Sequence, residues 1–162
     1  GTQTLQTNYQ YDDQYRLTKM TDAKKSGSEM KAYRYTYTGY DGFGRTAWTA
    51  EVSQEAEPSD AQIAKHKISY SYDTEDKITE VTYALAEDGR VESLHYAYDK
   101  NQYLIAIKAK IKGSDEEKLI RKYRYNERGN CLRSLTLLII EIRTKAMWQG
   151  SMSMIHWTVY LL

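Results

Sequence analysis

The chain has 162 residues, of which 41% are hydrophobic, and its 23 basic and 22 acidic side chains give a net charge of +1. This composition is sufficient for one folded domain and excludes disorder throughout the chain. The balanced charge offers no long-range attraction to nucleic acid or to an anionic membrane. The single Cys131 excludes an internal disulfide and a cysteine zinc cluster. No apolar run reaches the length of about 18 residues that a membrane-spanning helix needs.

A short tyrosine motif recurs along the chain. Its copies are Tyr9-x-Tyr11-Asp12, Tyr40-Asp41, Tyr70-x-Tyr72-Asp73, Tyr96-x-Tyr98-Asp99 and Tyr123-x-Tyr125-Asn126. The acid or amide residues are 26 to 32 residues apart, about the length of two strands and two turns. Five residues after each one, an extended run begins at Leu17, Thr46, Ile78, Leu104 and Cys131. The sequence therefore predicts repeated units of strand, Asp turn, strand and polar turn.

The turn chemistry has a physical cause. An Asp or Asn side chain accepts a hydrogen bond from a backbone N–H two residues later, which favours chain reversal. Three residues after the acid a left-handed conformation is needed, and Gly44 and Gly129 adopt it without steric cost. Asp76 tolerates it, whereas Tyr15 and Gln102 fit poorly. A different geometry is therefore predicted for the turns that contain Tyr15 and Gln102.

Alternation of side chains predicts the strands of the first two hairpins. Residues 5–11 and 16–21 follow the period of two that is typical of half-buried strands. The tyrosine ladder in residues 32–38 is followed by a Tyr that is one residue out of phase, which predicts a β-bulge at Thr38–Gly39. The longest connection, 53–64, is predicted to be a loop or a single helical turn.

The alternation is most regular between residues 65 and 111. Within it, Asp88-Gly89 is the strongest short hairpin signal in the chain. Ten strands joined by short turns can be counted, and no segment of ten or more residues has a helical period. The predicted fold is all-β, an antiparallel meander of about ten strands built from repeated hairpins, forming a curved open sheet or a barrel-like closure.

Two regions are distinguished by composition. Residues 1–132 carry the repeats, whereas residues 133–162 are hydrophobic and contain few charges. The second region is predicted to be a closing hairpin of the same domain that caps the sheet. Alternatively, the natural domain ends near Cys131 and the following residues are foreign to the repeat.

The repeated motifs resemble the YD-repeat, or RHS-repeat, family, whose motif is Tyr-x-Tyr-Asp-x-x-Gly-Arg-Leu. The resemblance covers roughly residues 5 to 132. The matching positions are Tyr9, Tyr11, Asp12, Arg16 and Leu17; Tyr40, Asp41, Gly44 and Arg45; and Tyr123, Tyr125 and Gly129, with Asn126 in place of Asp. Copies that keep the Tyr-x-Tyr-Asp half and lose Gly-Arg are Tyr70, Tyr72, Asp73 and Tyr96, Tyr98, Asp99.

The resemblance implies a secreted or cell-surface bacterial protein, with relatives in bacterial toxin-complex shells and in teneurins. In that family the repeats form β-hairpins that spiral into a curved sheet or hollow shell, and the repeat region is not itself an enzyme. It encloses cargo or contacts carbohydrate or a partner protein. The expected role is therefore a non-enzymatic scaffold or shell segment. The expected partners are other repeats of a longer parent protein, a partner protein or a glycan, and edge strands would favour homo-oligomers.

No catalytic, cofactor-binding or metal-binding site is predicted from the residues. The three histidines, His66, His95 and His156, have no ligand-like spacing, and Cys131 stands beside no base in the sequence and is expected to be a small buried group. One ligand site is considered, because sugars stack on flat aromatic faces. Its candidate row is Tyr33, Tyr35, Tyr37 and Trp48.

Regular spacing favours the alternative that these tyrosines form the packing face of the sheet. Aromatic residues interleaved with Lys31, Arg34 and Arg45 raise a nucleic-acid interface as a further possibility, but the balanced charge argues against it. Two functions therefore compete with the scaffold: a carbohydrate-binding module that uses the aromatic row, and a closed β-barrel that holds a small apolar ligand.

Overall fold

The computed structural model describes residues 4–84 and 90–136. These residues form one antiparallel sheet of ten strands whose spatial order is the order of the chain. The prediction of an all-β meander of ten strands is confirmed. The elements are β1 (Leu5–Tyr11), β2 (Leu17–Ser26), β3 (Glu29–Tyr40), β4 (Thr46–Val52), α1 (Asp60–Lys65), β5 (Lys67–Tyr72), β6 (Ile78–Tyr83), β7 (Val91–Tyr98), β8 (Leu104–Ile111), β9 (Glu117–Tyr125) and β10 (Cys131–Thr136).

The sheet is open. Strands β1 and β10 lie at its opposite ends and are not paired with each other in the described part of the chain. A closed barrel needs its first and last strands to pair. The alternative of a barrel that holds a small ligand is therefore wrong for the residues described.

Five hairpins, β1–β2, β3–β4, β5–β6, β7–β8 and β9–β10, have turns of one geometry. Each turn begins at what we call its turn residue: Asp12, Asp41, Asp73, Asp99 or Asn126. The side-chain oxygen of this residue accepts hydrogen bonds of 2.8–3.0 Å from the backbone N–H groups two and four residues later. Later positions are counted from the turn residue, so that +3 is three residues after it. The +5 residue begins the next strand in all five hairpins, as predicted.

The prediction that two of these turns differ is wrong. Tyr15 and Gln102 have φ of 60° and 65°, and Gly44, at the same +3 position, has 83°. In all five turns the +3 residue donates its backbone N–H to the carbonyl of the turn residue. A left-handed conformation costs a non-glycine residue about 1–2 kcal/mol. The hydrogen bonds of the Asx-headed loop offset that cost, so glycine is preferred at +3 but is not required.

Each hairpin has a register shift immediately after its turn. In the second hairpin Gly39 pairs with Trp48 and Tyr40 pairs with Thr46, which leaves Ala47 as the extra residue. The bulge predicted at Thr38–Gly39 therefore lies on the opposite strand. Tyr40 is out of phase with the ladder because it belongs to the other face of the sheet. Glycine at position 39 makes room for the Trp48 indole, because a Cβ atom there would overlap the indole ring.

The cross-strand register divides the side chains between two faces. The motif tyrosines share one face, which we call the tyrosine face, because alternate residues of a strand and directly paired residues point the same way. Its members include Tyr9, Tyr11, Tyr40, Tyr70, Tyr72, Tyr96, Tyr98, Tyr123 and Tyr125. The idea of consecutive hairpins with a common tyrosine-lined side is confirmed.

The opposite face carries a small core under the connection from β4 to β5. Helix α1 begins at a capping box in which Ser59 and Gln62 satisfy each other's backbone N–H groups. The predicted single helical turn is thus present. The connection lies over β3 and β4, where the Tyr35 hydroxyl donates to the Glu55 carbonyl at 3.0 Å and Pro58 is buried.

Two predictions concern residues outside the described ranges. The Asp88-Gly89 hairpin signal lies in 85–89, and all but the first residues of 133–162 follow Thr136. Strand β10 spans the boundary drawn at 132 and 133. In the part of the chain that the structure describes, no helix has the length and apolar character needed to cross a membrane.

Candidate functional site: the joints between hairpins

Consecutive hairpins are connected by a hydrogen bond that recurs at the turn edge of the sheet. The tyrosine immediately before a turn residue donates its hydroxyl to the +5 backbone carbonyl of the preceding hairpin. The four bonds are Tyr40 to Leu17 at 2.9 Å, Tyr72 to Thr46 at 2.7 Å, Tyr98 to Ile78 at 2.8 Å and Tyr125 to Leu104 at 2.9 Å. We call each such contact, with the side chains that pack on it, a joint.

The ring of each joint tyrosine is covered by the +4 side chain of the preceding turn. Arg16 lies over Tyr40 at 4.5 Å, and the Tyr103 ring is stacked on Tyr125 with centroids 5.0 Å apart. The equivalent pairs in the other two joints are Arg45 over Tyr72 at 4.6 Å and Lys77 over Tyr98 at 5.8 Å. A cation over an aromatic ring and a pair of offset rings are both attractive contacts. Every joint thus combines a directional hydrogen bond with a covered ring.

Arg45 shows how one side chain can connect two hairpins. Its Nε is 2.7 Å from Asp41 of its own turn, and its Nη1 is 2.6 Å from Asp76 of the next turn. Burial by itself would raise the pKa of Asp41, but the hydrogen bonds from Arg45 and from backbone N–H groups lower that pKa. The pKa of Arg45 is raised by its hydrogen bonds to Asp41 and Asp76. The guanidinium also lies over the Tyr72 ring, and lysine would not reproduce all of these contacts, since its single ammonium lacks the planar fork of donors.

In three of the four joints burial favours the protonated tyrosine hydroxyl, which is the form that donates a hydrogen bond. Burial raises the pKa of Tyr72, of Tyr98 and of Tyr125. Their hydroxyls therefore remain donors at and above neutral pH.

The first tyrosine of the series has no joint in the described structure. Tyr11 has the same position relative to its turn residue, but it is 59% exposed and its hydroxyl has no hydrogen-bond partner among the described residues. At the other end of the sheet, the fifth hairpin presents Asn130 at +4 and Cys131 at +5. Cys131 is exposed, which corrects the expectation that it is buried.

The predicted aromatic row is not brought together as an exposed strip. Tyr35 is 6% exposed and its hydroxyl is already bonded, and burial raises the pKa of Tyr37. The Trp48 indole lies against Gly39. The Lys67 ammonium is 4.0 Å from the centroid of a ring of the same indole. Tyr33 has no paired residue at the register shift between β2 and β3. It therefore does not follow the regular alternation of Tyr35 and Tyr37 in β3. Carbohydrate binding by these four residues stays a prediction.

A polar cluster on the opposite face is centred on His95. Its Nε2 is 3.1 Å from both Glu80 and the Ser93 hydroxyl, and its Nδ1 is 2.5 Å from Glu117. A hydrogen bond from Lys108 is the main cause of the lowered pKa of Glu117, and His95 adds to it. The order Ser, His, acid matches that of a nucleophilic triad. However, Ser93 is 2% exposed and shares the imidazole nitrogen with Glu80, so a substrate carbonyl cannot approach it.

Metal ligation has no geometric support in the residues described. No three His, Cys, Asp or Glu side chains of 4–84 and 90–136 converge on one point. The cluster at His95 spans the four strands β6 to β9, because Lys108 of β8 contacts Glu117, and its two carboxylates contact different imidazole nitrogens. These contacts connect neighbouring strands.

Sequence reasoning identified the repeat residues but missed the joints. The tyrosines, the turn residues and the strand starts at +5 were all marked by their spacing. The +4 residues were not recognised, because Arg16, Arg45, Lys77 and Tyr103 have no common chemistry. The sequence separation between each joint tyrosine and the +5 residue that it contacts varies from 20 to 26 residues, so spacing gave no signal for the joints.

Comparisons with known proteins give structural neighbours, two of which are described below, and no family. No family model matches the chain, and no curated protein matches it. The crystal structure of TcdB2-TccC3 without its hypervariable C-terminal region is similar over 82% of this chain, with 12% identity and a TM-score of 0.48. The structure of TcdB2-TccC3-TEV is similar over 88%, with 13% identity and a TM-score of 0.49. This chain spans 8% and 9% of those chains.

Proposed function

We propose that this chain is a non-enzymatic scaffold segment of the YD/RHS-repeat type. It contributes a length of sheet to a larger shell or interaction surface of a secreted or cell-surface bacterial protein. Its partners are further repeats of the same parent protein or a protein enclosed or contacted by the sheet. The sequence resemblance provides the biological setting of this proposal, and the joints provide its physical basis.

The observation that carries the proposal is the joint repeated four times in one register. In each case the +7 residue of one hairpin pairs with the residue four before the next turn residue. The pairs are Lys19 with Tyr37, Trp48 with Ser69, Glu80 with His95 and Ala106 with Lys122. Units that contact only their neighbours, through the same contact each time, extend a structure along one direction. Such a construction suits a wall or surface whose extent is set by the number of units.

Removal of one unit tests this function. Deleting residues 96–122 joins His95 to Tyr123 and removes 27 residues, a number equal to the spacing from Asp99 to Asn126. Tyr125 then occupies the place of Tyr98 and can donate to the Ile78 carbonyl. We expect an eight-stranded sheet that unfolds cooperatively in urea and is destabilised by Tyr125→Phe as the full chain is.

A matched control removes one residue fewer. Deleting 97–122 leaves the same composition apart from one tyrosine, but it shifts the alternation and exchanges the two faces of the strand. We expect this variant to lose cooperative unfolding. If both deletions fold equally well or both fail, the hairpins are not exchangeable units and the scaffold proposal is wrong.

Screening on a glycan array separates the scaffold from the carbohydrate-binding module. A scaffold segment gives no binding that depends on the aromatic row. Binding that is abolished by Trp48→Ala, in a variant with an unchanged circular dichroism spectrum, would instead assign the chain to carbohydrate recognition.

A further inference from the structure

We propose that the β1 edge is a docking surface for a second copy of this chain, which binds it through its β10 edge in a head-to-tail arrangement. The inference goes beyond the proposed function, because it specifies an association between separate copies, its register and its contacts. It follows from three features of the two outer strands.

First, β1 lacks the devices that usually protect an edge strand. All seven of its residues, Leu5–Tyr11, are exposed, and the strand contains no charged residue and no proline. Natural edge strands carry lysine, proline or a covering segment, because their free N–H and C=O groups otherwise pair with another strand. As far as the described residues go, the β1 edge is thus open to strand addition.

Second, the free backbone groups of β1 can be identified. The Lys25 N–H donates to the Thr4 carbonyl, so Thr4 and alternate residues after it form the hydrogen-bonded pairs with β2. Leu5, Thr7 and Tyr9 therefore direct their N–H and C=O groups towards the open side. An incoming antiparallel strand bonds to these three residues without disturbing the β1–β2 pairing.

Third, the chain carries both halves of one more joint. Tyr11 is the one motif tyrosine before a turn whose hydroxyl has no partner in residues 4–84 and 90–136, and the Cys131 carbonyl, at +5 of the last turn, is the matching acceptor. Applying the register of the four internal joints places Arg133, at +7, opposite Asn8 of the other copy. The proposed interface therefore repeats the contact that connects neighbouring hairpins four times within the molecule.

The arrangement is directional. One copy offers β1 and the other offers β10, so the contact is heterologous and, among the ten described strands, leaves one β1 and one β10 unpaired at the ends. Association consequently continues beyond a dimer, and its extent depends on concentration. Asn130 at +4 cannot cover the Tyr11 ring as Arg16 covers Tyr40, which makes this joint weaker than its internal counterparts.

Disulfide trapping tests the register. One copy carries Asn8→Cys and a second carries Arg133→Cys, both with Cys131→Ser, and the two are mixed in a glutathione buffer whose oxidised form accepts the two electrons. Asn8 and Arg133 would form a non-hydrogen-bonded pair with Cα atoms about 4.5 Å apart, within the range of a disulfide. We expect the mixed dimer as the main product. The control replaces Asn8→Cys by Gln6→Cys, which lies on the same face two residues away and should trap much less.

Sedimentation equilibrium of the unlinked chain gives an independent readout. Tyr11→Phe removes one hydrogen bond and should weaken association about five-fold, whereas the equally exposed Tyr9→Phe should not. Asn130→Arg should strengthen association about two- to five-fold by covering the Tyr11 ring. Equal trapping in both registers, trapping between two Asn8→Cys copies, or a monomer at all concentrations would each overturn the proposal. If the in-phase deletion nevertheless folds, only the docking inference is lost and the scaffold stands.

Discussion

Removing a single joint hydroxyl gives the most direct test of how this sheet is stabilised. Tyr98→Phe deletes the 2.8 Å bond to the Ile78 carbonyl while leaving the ring under Lys77 in place. A neutral hydrogen bond contributes about 1 kcal/mol net, and a half-buried carbonyl left without its donor adds to the loss, so we expect a cost of about 1–2 kcal/mol. No other contact of the side chain changes, and the effect can be assigned to the joint.

Urea unfolding followed by tyrosine fluorescence or circular dichroism measures this cost. With a slope of about 2 kcal/mol per M, the midpoint should fall by roughly 0.5–1 M. Tyr11→Phe is the matched control, because this hydroxyl has the same place in the motif but is exposed and has no partner in the described structure. The free energy of unfolding of Tyr11→Phe should differ from that of the unchanged chain by less than about 0.5 kcal/mol. Equal midpoints for the two variants would refute a stabilising role for the joints.

The remaining predictions concern the turns and the buried charges. Asp99→Ala removes the acceptor of two backbone N–H groups and should cost about 1–2 kcal/mol in urea unfolding. Tyr15→Gly should raise the free energy of unfolding by up to about 1 kcal/mol, because φ is 60° and the ring is 90% exposed. Stability should fall on acidification, since hydrogen bonds from Thr7 and then Arg34 lower the pKa of Asp22 in the folded state. This contribution is fully present above the unfolded-state pKa near 4 and is lost as pH falls through the folded-state pKa.

Each of these predictions has its own control. Asp99→Asn keeps the side-chain oxygen, as Asn126 does naturally, and should be nearly neutral; a loss equal to that of alanine would contradict the turn assignment. Gly44→Ala places a Cβ at φ 83° and should destabilise, opposite in sign to Tyr15→Gly. Asp22→Asn should reduce the loss of unfolding free energy as the pH is lowered. An unchanged loss would show that other carboxylates account for it.

The sequence alone determined the hairpins. Each is specified within a few consecutive residues, because the Asp or Asn side chain, the reversal and the next strand at +5 interact locally. The strand starts at Leu17, Thr46, Ile78, Leu104 and Cys131 were therefore found without knowledge of the fold. Where the local rule was applied too strictly it failed, since Tyr15 and Gln102 adopt the left-handed conformation once the other hydrogen bonds of the loop are formed.

Only the tertiary structure decided how hairpins meet. The joint between Tyr98 and the Ile78 carbonyl connects residues 20 apart in sequence, and a backbone carbonyl leaves no mark in the residue types. The division of tyrosines between faces also depended on register: Tyr35 and Tyr40 differ in phase because they belong to opposite sides, and only Tyr35 is covered by the connection that carries α1. Local chemistry fixes where the chain turns, whereas packing between neighbouring hairpins fixes which side chains are covered.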